Sequence, residues 1–325
     1  MNAIVQDEYG DAGQVLRLER IPRPEIGDDE VLVRVRAAGV DRGVWHLTAG
    51  LPYPVRLAFG LRAPRTRVRG LDVAGIVEAV GGKVTWPRPG DEVFGIGQGT
   101  FAEYARCRAD KLAPKPQRLS FEQAAAVPVS GLTALQGLRD HARVQPGQKL
   151  LIIGASGGVG TFAVQIAKAL GAEVTGVCST AKVDVVRSLG ADRVVDYTRE
   201  GIADAGRRYD AVLDIGGNTP LGTIRRVLTP RGTLVIVGGE TDGRWLGGLD
   251  RQLRALALSP FVGQKLGGFL SSENNRDLTV LTEFIESGQV TPEIDRTYPL
   301  TEVPAAIRHM TDGRARGKVV IAVAD

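Results

Sequence analysis

The most concentrated set of chemically suggestive residues is the run Ala155-Ser156-Gly157-Gly158-Val159-Gly160. Small residues at this spacing let a chain turn tightly, bring its backbone against a pyrophosphate and pack the following helix close to the preceding strand. A helix that starts at such a turn offers free N–H groups and partial positive charge to phosphate oxygens. Glycine strings are common in ordinary loops, so the context decides. The apolar run Lys149–Ile153 reads as a strand before the turn, and 161–170 reads as a helix after it, closed by Gly171. The chemistry expected here is the binding of a dinucleotide.

The end of the next strand, Glu173–Cys178, bears on which dinucleotide. Proteins selective for NAD place an acidic residue about 20 positions beyond the glycines to bond the ribose 2′-hydroxyl. This chain has Cys178, Ser179, Thr180 and Lys182 there. Two hydroxyls and an ammonium suit a 2′-phosphate, and charge-assisted hydrogen bonds of about 1.5–3 kcal/mol each are enough to set a preference. NADPH is the cofactor expected, with Ala155 to Gly160, Ser179, Thr180 and Lys182 as its contacts. The same Ser-Thr-Lys composition also suits a solvated turn.

These residues need a frame. From 149 onward, apolar strands alternate with helical stretches at short intervals. Helices are expected at 182–189, stopped by Gly190, and at 221–228. Strands are expected at 193–197, 210–215 and 233–237. Such alternation means right-handed crossovers and a parallel sheet covered on both faces. The first ~120 residues instead read as short strands broken by turns. VLVRVRA at 31–37 alternates at period two, 73–80 is apolar, and PRPGDEV at 87–93 is turn chemistry leading into a strand. One helix is expected over 121–138 after the N-cap Ser120, with Gln123 three residues on. The pattern loosens after Gly238, and 318–323 reads as a last strand. The fold class is therefore α/β, with a doubly wound parallel-sheet domain inserted between two parts of a β-rich one. The domains are expected at 1–122, 123–265 and 266–325.

The 325 residues suit two domains, and 43% hydrophobic content allows a substantial core without disulfides. Two cysteines cannot make a disulfide framework or a four-thiolate zinc site. No run of 18 apolar residues is present and the N-terminus does not read as a secretory leader, so a cytoplasmic protein is expected. The net charge of +4 is a modest basic excess without a nucleic-acid motif, so neither nucleic acid nor membrane is expected as partner.

Four stretches, GASGGVG at 154–160, LGADRVVDY at 189–197, PGDEVFG at 89–95 and VPVSGLTALQGL at 127–138, together resemble the medium-chain dehydrogenase/reductase superfamily. Within it the chain is most similar to the zinc-free quinone-oxidoreductase branch, over nearly its whole length. The resemblance implies a GroES-like catalytic domain, split in sequence, around a Rossmann domain, and a homodimer. Zinc-dependent members carry a cysteine after an Ala-Ala-Gly strand, a Gly-His-Glu motif and a four-cysteine loop. Here the first reads Ala37-Ala38-Gly39-Val40-Asp41 and the second Gly70-Leu71-Asp72, and His46, His141 and His309 are scattered. No metal site is expected.

By resemblance, Tyr197 lies by the adenosine 2′-phosphate, Thr133 near the nicotinamide, Gly238 and Phe261 along the nicotinamide ribose and ring, and Ala315, Arg316 and Gly317 on the C-terminal cofactor contact. Tyr53 resembles the loop tyrosine of related enoyl reductases. A phenol keeps its proton at neutral pH and can donate to an enolate-like oxygen. Asp41 stands where the branch often has Asn. It either donates a proton from a desolvated carboxyl or accepts the same hydrogen bonds. Trp45 and His46 follow on the same segment, His46 as a candidate acid. Arg56, Arg62, Arg65, Arg67 and Arg69 form either a solvated loop or a lure for anionic substrates. The function implied is hydride transfer to a quinone or an α,β-unsaturated carbonyl. The alternatives are a zinc-free alcohol/ketone oxidoreductase and a non-catalytic NADPH-binding protein.

Overall fold

A computed structural model of the chain describes residues 1–204, 206–238 and 243–323. The chain divides into two compact units. One comprises Met1–Leu132, Glu273–Ser287 and Pro292–Asp325; the other comprises Thr133–Ser272 and Gly288–Thr291.

The N-terminal part of the first unit runs β1 (Asn2–Val5), α1 (Ala12–Val15), β2 (Arg17–Arg20), β3 (Glu30–Val40), α2 (Arg42–Ala49), α3 (Val55–Phe59), β4 (Asp72–Val80), β5 (Glu92–Gln98) and β6 (Tyr104–Pro114). Strands β3 to β6 pair antiparallel in sequence, and β6 pairs back onto β3, so the four close on themselves. The period-two pattern of β3 buries Val31, Val33 and Val35 against Val73, Val77, Val93 and Phe101, while Arg34 and Arg36 stay half-exposed.

The helix expected over 121–138 is broken. Ser120 and Gln123 form a capping box on α4 (Phe121–Ala125), and a new helix, α5 (Pro128–Gln136), starts at its proline. Pro128 donates no backbone hydrogen bond and disfavours helical geometry at Val127, but its fixed φ suits a first helical position. The chain then tightens into a π-helical turn, Gly137–Ala142. Because α4 packs on β3 and β4, residues 123–132 stay with the first unit, whereas the sequence pattern had assigned them to the inserted domain.

The second unit runs β7 (Lys149–Ile153), α6 (Gly158–Ala169), β8 (Glu173–Cys178), a 3-10 turn at Thr180–Lys182, α7 (Val183–Ser188), β9 (Arg193–Asp196), β10 (Tyr209–Asp214), α8 (Leu221–Val227), β11 (Leu228–Ile236), α9 (Leu249–Leu258) and β12 (Lys265–Gly268). All six strands are parallel, in the order β12-β11-β10-β7-β8-β9. Sheet faces covered on both sides explain why Leu150–Ile153 and Ala211–Leu213 are apolar without alternation and buried. The strand order reverses between β7 and β10, the position at which doubly wound sheets open a crevice beyond their strand C-termini. The strand β12, KLGG, was not anticipated: it is short and half glycine, and it carries the second unit beyond residue 265.

The chain continues through α10 (Asn275–Glu286), β13 (Ile294–Pro299), α11 (Val303–Thr311) and β14 (Lys318–Ala322). The expected final strand is β14. It pairs antiparallel with β3, Val319 opposite Val40 and Ile321 opposite Ala38, returning the C-terminus to the first unit. Among the described residues no helix is long and apolar enough to cross a membrane.

Candidate active site

The glycine turn leaves β7 at Gly154, whose φ of +87° is the left-handed conformation that glycine adopts without strain. The amides of Gly154 and Ala155 are tied to the Val177 carbonyl of β8, at 3.2 and 3.1 Å. Gly157 is the N-cap of α6, and its carbonyl accepts from Thr161 N at 2.9 Å. The amides of Gly158, Val159 and Gly160 have no acceptor within the helix. A Cβ on Gly160 would lie 2.1 Å from the Gly154 carbonyl oxygen, so only glycine lets the helix sit this close to the strand end. The helix starts three residues earlier than expected, at Gly158, and this brings these amides to its tip. Ala155 and Ser156 are buried; Gly157, Gly158 and Val159 are half-exposed. Bare amides, a helix N-terminus and a cradle that a methyl group would fill together suit a pyrophosphate.

Beyond β8 the structure corrects one expectation. A carboxylate does stand at this strand end: Asp196 of β9, in register with Cys178. Thr180 Oγ1 donates to Asp196 Oδ2 at 2.5 Å, so its proton is already committed and Thr180 is not a free phosphate donor. The Thr180 hydroxyl, followed by the hydroxyl and amide of Thr198, holds the Asp196 carboxyl below its ordinary range. The guanidinium of Arg199 lies 3.5 Å from that carboxylate. Asp196 is visible in the sequence as the Asp of VVDY, but only the strand register places it beside Thr180. Ser179 and Lys182 are half-exposed, and Tyr197 is 63% exposed on the same strand end.

At the C-terminal edge of β10, the buried Asp214 pairs with Arg251 of α9. Asp214 Oδ1 also accepts from Gly217 N at 3.0 Å, and Arg251 Nη1 donates to the Gly217 carbonyl at 3.2 Å, which pins the loop after β10. Sequence reasoning missed this pair, because nothing in the chain links the two positions before folding. Gly238 lies just past β11, and a Cβ there would meet the Ile215 carbonyl at 2.6 Å. Thr133 Oγ1 donates to Ser271 Oγ at 3.2 Å, in the segment that follows β12.

Phe261 is the second correction. It ends a 3-10 turn four residues before β12, and is 85% exposed. In a parallel sheet that places it at the strand N-termini, the edge opposite the glycine turn. The C-terminal edge beyond β12 holds Phe269, Leu270 and Ser271 instead. Only the recognition of β12 shows on which edge of the sheet Phe261 lies.

In the first unit, Asp41 caps α2, its Oδ1 accepting from Val44 N at 3.0 Å. Its Oδ2 is buried and finds no hydrogen-bond partner among the described residues. Burial, reinforced by the nearby charge of Asp72, pushes the Asp41 carboxyl up to about 6, although Lys318 opposes the shift. Lys318 Nζ lies 2.8 Å from Asp72 Oδ2, with both side chains sealed from solvent. Asp72 Oδ1 accepts from Val129 N at 2.8 Å in the first turn of α5. The cluster is close-packed: a Cβ on Gly39 would fall 2.4 Å from Asp72 Oδ2.

His46, in α2, makes a 2.7 Å hydrogen bond from Nδ1 to the Leu51 carbonyl, so Nδ1 carries the proton. Tyr53 is half-buried with Arg56 4.9 Å from its ring centroid. Asp41, His46 and Tyr53 thus share one continuous segment, but the carboxylate of Asp41 bonds neither of the other two. The arginine loop is largely spoken for. Arg69 is buried on Gln6 at 2.6 Å, Arg67 pairs with Asp7 and Glu19, and Arg56 bonds the Gly50 carbonyl. Ala315, Arg316 and Gly317 lead into β14, with Ala315 buried, Arg316 exposed and Gly317 at a φ of +102°.

Among the described residues no three His, Cys, Asp or Glu side chains are placed to hold a metal. Burial pushes the Cys107 thiol up to about 12 and, with Asp196 adding to it, the Cys178 thiol up to about 11, so neither is a ready thiolate. His309 bonds Asp295 at 2.5 Å, and His141 stacks on Phe269 at 4.2 Å between centroids.

Comparison with known proteins matches residues 27–117 to the alcohol dehydrogenase GroES-like domain and residues 189–321 to the family described as zinc-binding dehydrogenase. The chain is 33% identical to the mitochondrial NAD(P)H oxidoreductase RTN4IP1 of Mus musculus, over 99% of this chain and 89% of that protein. It is also 33% identical to the chloroplastic NADPH-dependent alkenal/one oxidoreductase of Arabidopsis thaliana, over 99% of this chain and 79% of that protein. The solved structure of Escherichia coli quinone oxidoreductase complexed with NADPH superposes with a TM-score of 0.84 at 26% identity, covering 99% of this chain and 100% of the other. The closed β-rich unit, the inserted parallel sheet and these likenesses agree: the chain is an oxidoreductase of the medium-chain dehydrogenase/reductase superfamily, in its quinone-oxidoreductase-like branch.

Proposed function

We propose that this protein is a zinc-independent, NADPH-dependent reductase of quinones or α,β-unsaturated carbonyls, a cytoplasmic homodimer with no nucleic-acid partner. The observation that carries the reading is the tip of α6, where three amides lack an acceptor within the helix beside a glycine that no other residue can replace. When bound, the nicotinamide cofactor supplies a hydride. Gly158, Val159 and Gly160 hold its pyrophosphate through their amides and the helix dipole. Lys182, aided by Ser179 and Tyr197, favours a 2′-phosphate, and Arg199 offsets the charge of Asp196. Gly238 leaves room for close approach beside the pinned loop after β10.

The acceptor is argued from chemistry. Reduction of an isolated ketone calls for a strong electrophile at oxygen, and the described residues offer no metal-ligand set for one. A conjugated acceptor spreads the developing charge, so one or two hydrogen-bond donors suffice. Tyr53 donates from its phenol. Asp41 stores a proton on a desolvated carboxyl, and His46 orients the same segment through its Nδ1–H. The names of the relatives, alkenal/one and quinone oxidoreductases, support this acceptor class.

The test is steady-state NADPH oxidation with a benzoquinone and an alkenal, before and after exhaustive chelation. Turnover that survives EDTA is expected, and Tyr53→Phe should lower kcat by about tenfold or more with NADPH affinity intact. Alcohol-dependent NADP reduction without enone or quinone turnover would replace this reading, as would activity lost to EDTA and restored by zinc.

A further inference from the structure

At the opposite edge of the parallel sheet from the glycine turn, three arginines meet around an open cavity of about 450 Å³. Its walls come from four places, one of them Pro230 of β11. Gly222, Arg225 and Arg226 stand at i, i+3 and i+4 on α8, hence on one helix face. Gly263 and Gln264 lead into the N-terminus of β12, and Arg208 leads into the N-terminus of β10. The glycine turn, by contrast, follows the C-terminus of β7 in the same sheet, so the two places lie at opposite ends of parallel strands.

Among the described residues, the guanidiniums are held only by neutral oxygens. Arg225 Nε donates to Gln264 Oε1 at 3.1 Å, while Gln264 Nε2 donates back to the Arg225 carbonyl at 2.9 Å. Arg208 Nη1 donates to the Leu228 carbonyl at 3.0 Å, and Arg226 Nη2 to Thr223 Oγ1 at 3.3 Å. None of the three pairs with a carboxylate among the described residues, and no acidic side chain lines the cavity. Elsewhere on this chain arginines pair freely with acids, as Arg17, Arg67, Arg108 and Arg207 do. Three uncompensated charges around one hollow focus positive potential into it. Arg225, fixed through Nε, keeps both terminal nitrogens as a planar fork, the geometry that matches phosphate oxygens.

We infer that this hollow is a second anion site, distinct from the dinucleotide turn, for a small ligand bearing at least two phosphoryl charges. Its volume exceeds that of a single phosphate and falls in the range of small-molecule sites. Neither the glycine turn nor the Asp41 cluster contributes to it, so the inference stands apart from the proposed reaction.

Isothermal titration of the full chain with inorganic pyrophosphate, with and without saturating NADPH, tests it. One binding event that persists under NADPH is expected. Arg225→Ala/Arg226→Ala should weaken it about tenfold or more while NADPH binding stays unchanged. Arg226→Glu, at an exposed position, should weaken it comparably and guards against misfolding of the double variant. No binding, binding abolished by NADPH, affinity unchanged in Arg226→Glu, or citrate binding as tightly as pyrophosphate would each overturn the assignment.

Discussion

The glycine turn and the Asp41–Asp72–Lys318 cluster place chemistry in opposite ways. In the turn, the working groups are the backbone amides of three consecutive residues, Gly158 to Gly160, and side chains matter chiefly by being absent. In the cluster, the working groups are side chains from distant positions, Asp72 and Lys318 being 246 residues apart, and that pair is sealed from water. The first arrangement tolerates changes around its rim, where substitution alters which ligand is preferred. The second has no rim. Removing one partner leaves another charge buried without compensation, so its function and its stability are the same interaction.

The largest effect that would test this contrast is at Lys318. Lys318→Ala leaves the Asp72 carboxylate buried and unpaired, a loss of about 3–5 kcal/mol, measured by denaturant unfolding. Lys318→Met combined with Asp72→Asn removes both charges, and Asn can still accept from Val129 N. The double variant should recover more than half of the loss. If Lys318→Ala unfolds like the wild type, the buried Asp72–Lys318 pair does not hold the fold together.

Asp41 sharpens the comparison through pH. Its folded-state carboxyl titrates at about 6, above the ordinary value near 3.9. The folded protein therefore keeps a proton that the unfolded chain releases between those values. That contribution to stability is complete below about pH 4 and is lost as the pH rises through 6. Asp41→Asn keeps an oxygen to cap α2 but has nothing to titrate. The wild type should lose Tm between pH 5 and pH 8 relative to Asp41→Asn. If the carboxyl is the proton store, kcat should also fall above about pH 6 in the wild type alone. Parallel Tm profiles in the two proteins would count against a protonated Asp41.

How far the sequence could be read follows the same division. The turn, the five strands β7 to β11 and the insertion of one domain into another were legible, because periodicity and glycine spacing are local signals. The strand β12 was not, since KLGG offers no apolar run, and without it the place of Phe261 at the strand N-termini is not visible. Asp196 was visible as a residue but not as a neighbour of Thr180, because only the register of β8 against β9 brings them together. Lys318 reads as one more polar residue before a strand. Its burial comes from a pairing of β14 with β3 that spans nearly the whole chain.

The smallest effect lies at the rim of the turn. Lys182 is half-exposed, so the contact proposed for it with a 2′-phosphate would be screened by water and belongs at the weak end of charged hydrogen bonds. Lys182→Ala should lower the ratio of NADPH to NADH affinity by about tenfold or less and leave the fold untouched. Asp196 supplies the opposing control. Asp196→Asn removes the negative charge beside Thr180 while an amide oxygen can still accept from it, so the same ratio should rise. Fluorescence titration with both coenzymes reads the two variants on one scale. Opposite movements mean that the side chains around β8 and β9 set coenzyme choice by charge alone. A ratio that stays fixed in both would leave selectivity to the backbone, and the contrast between the two regions would then be deeper than the one drawn from their contacts.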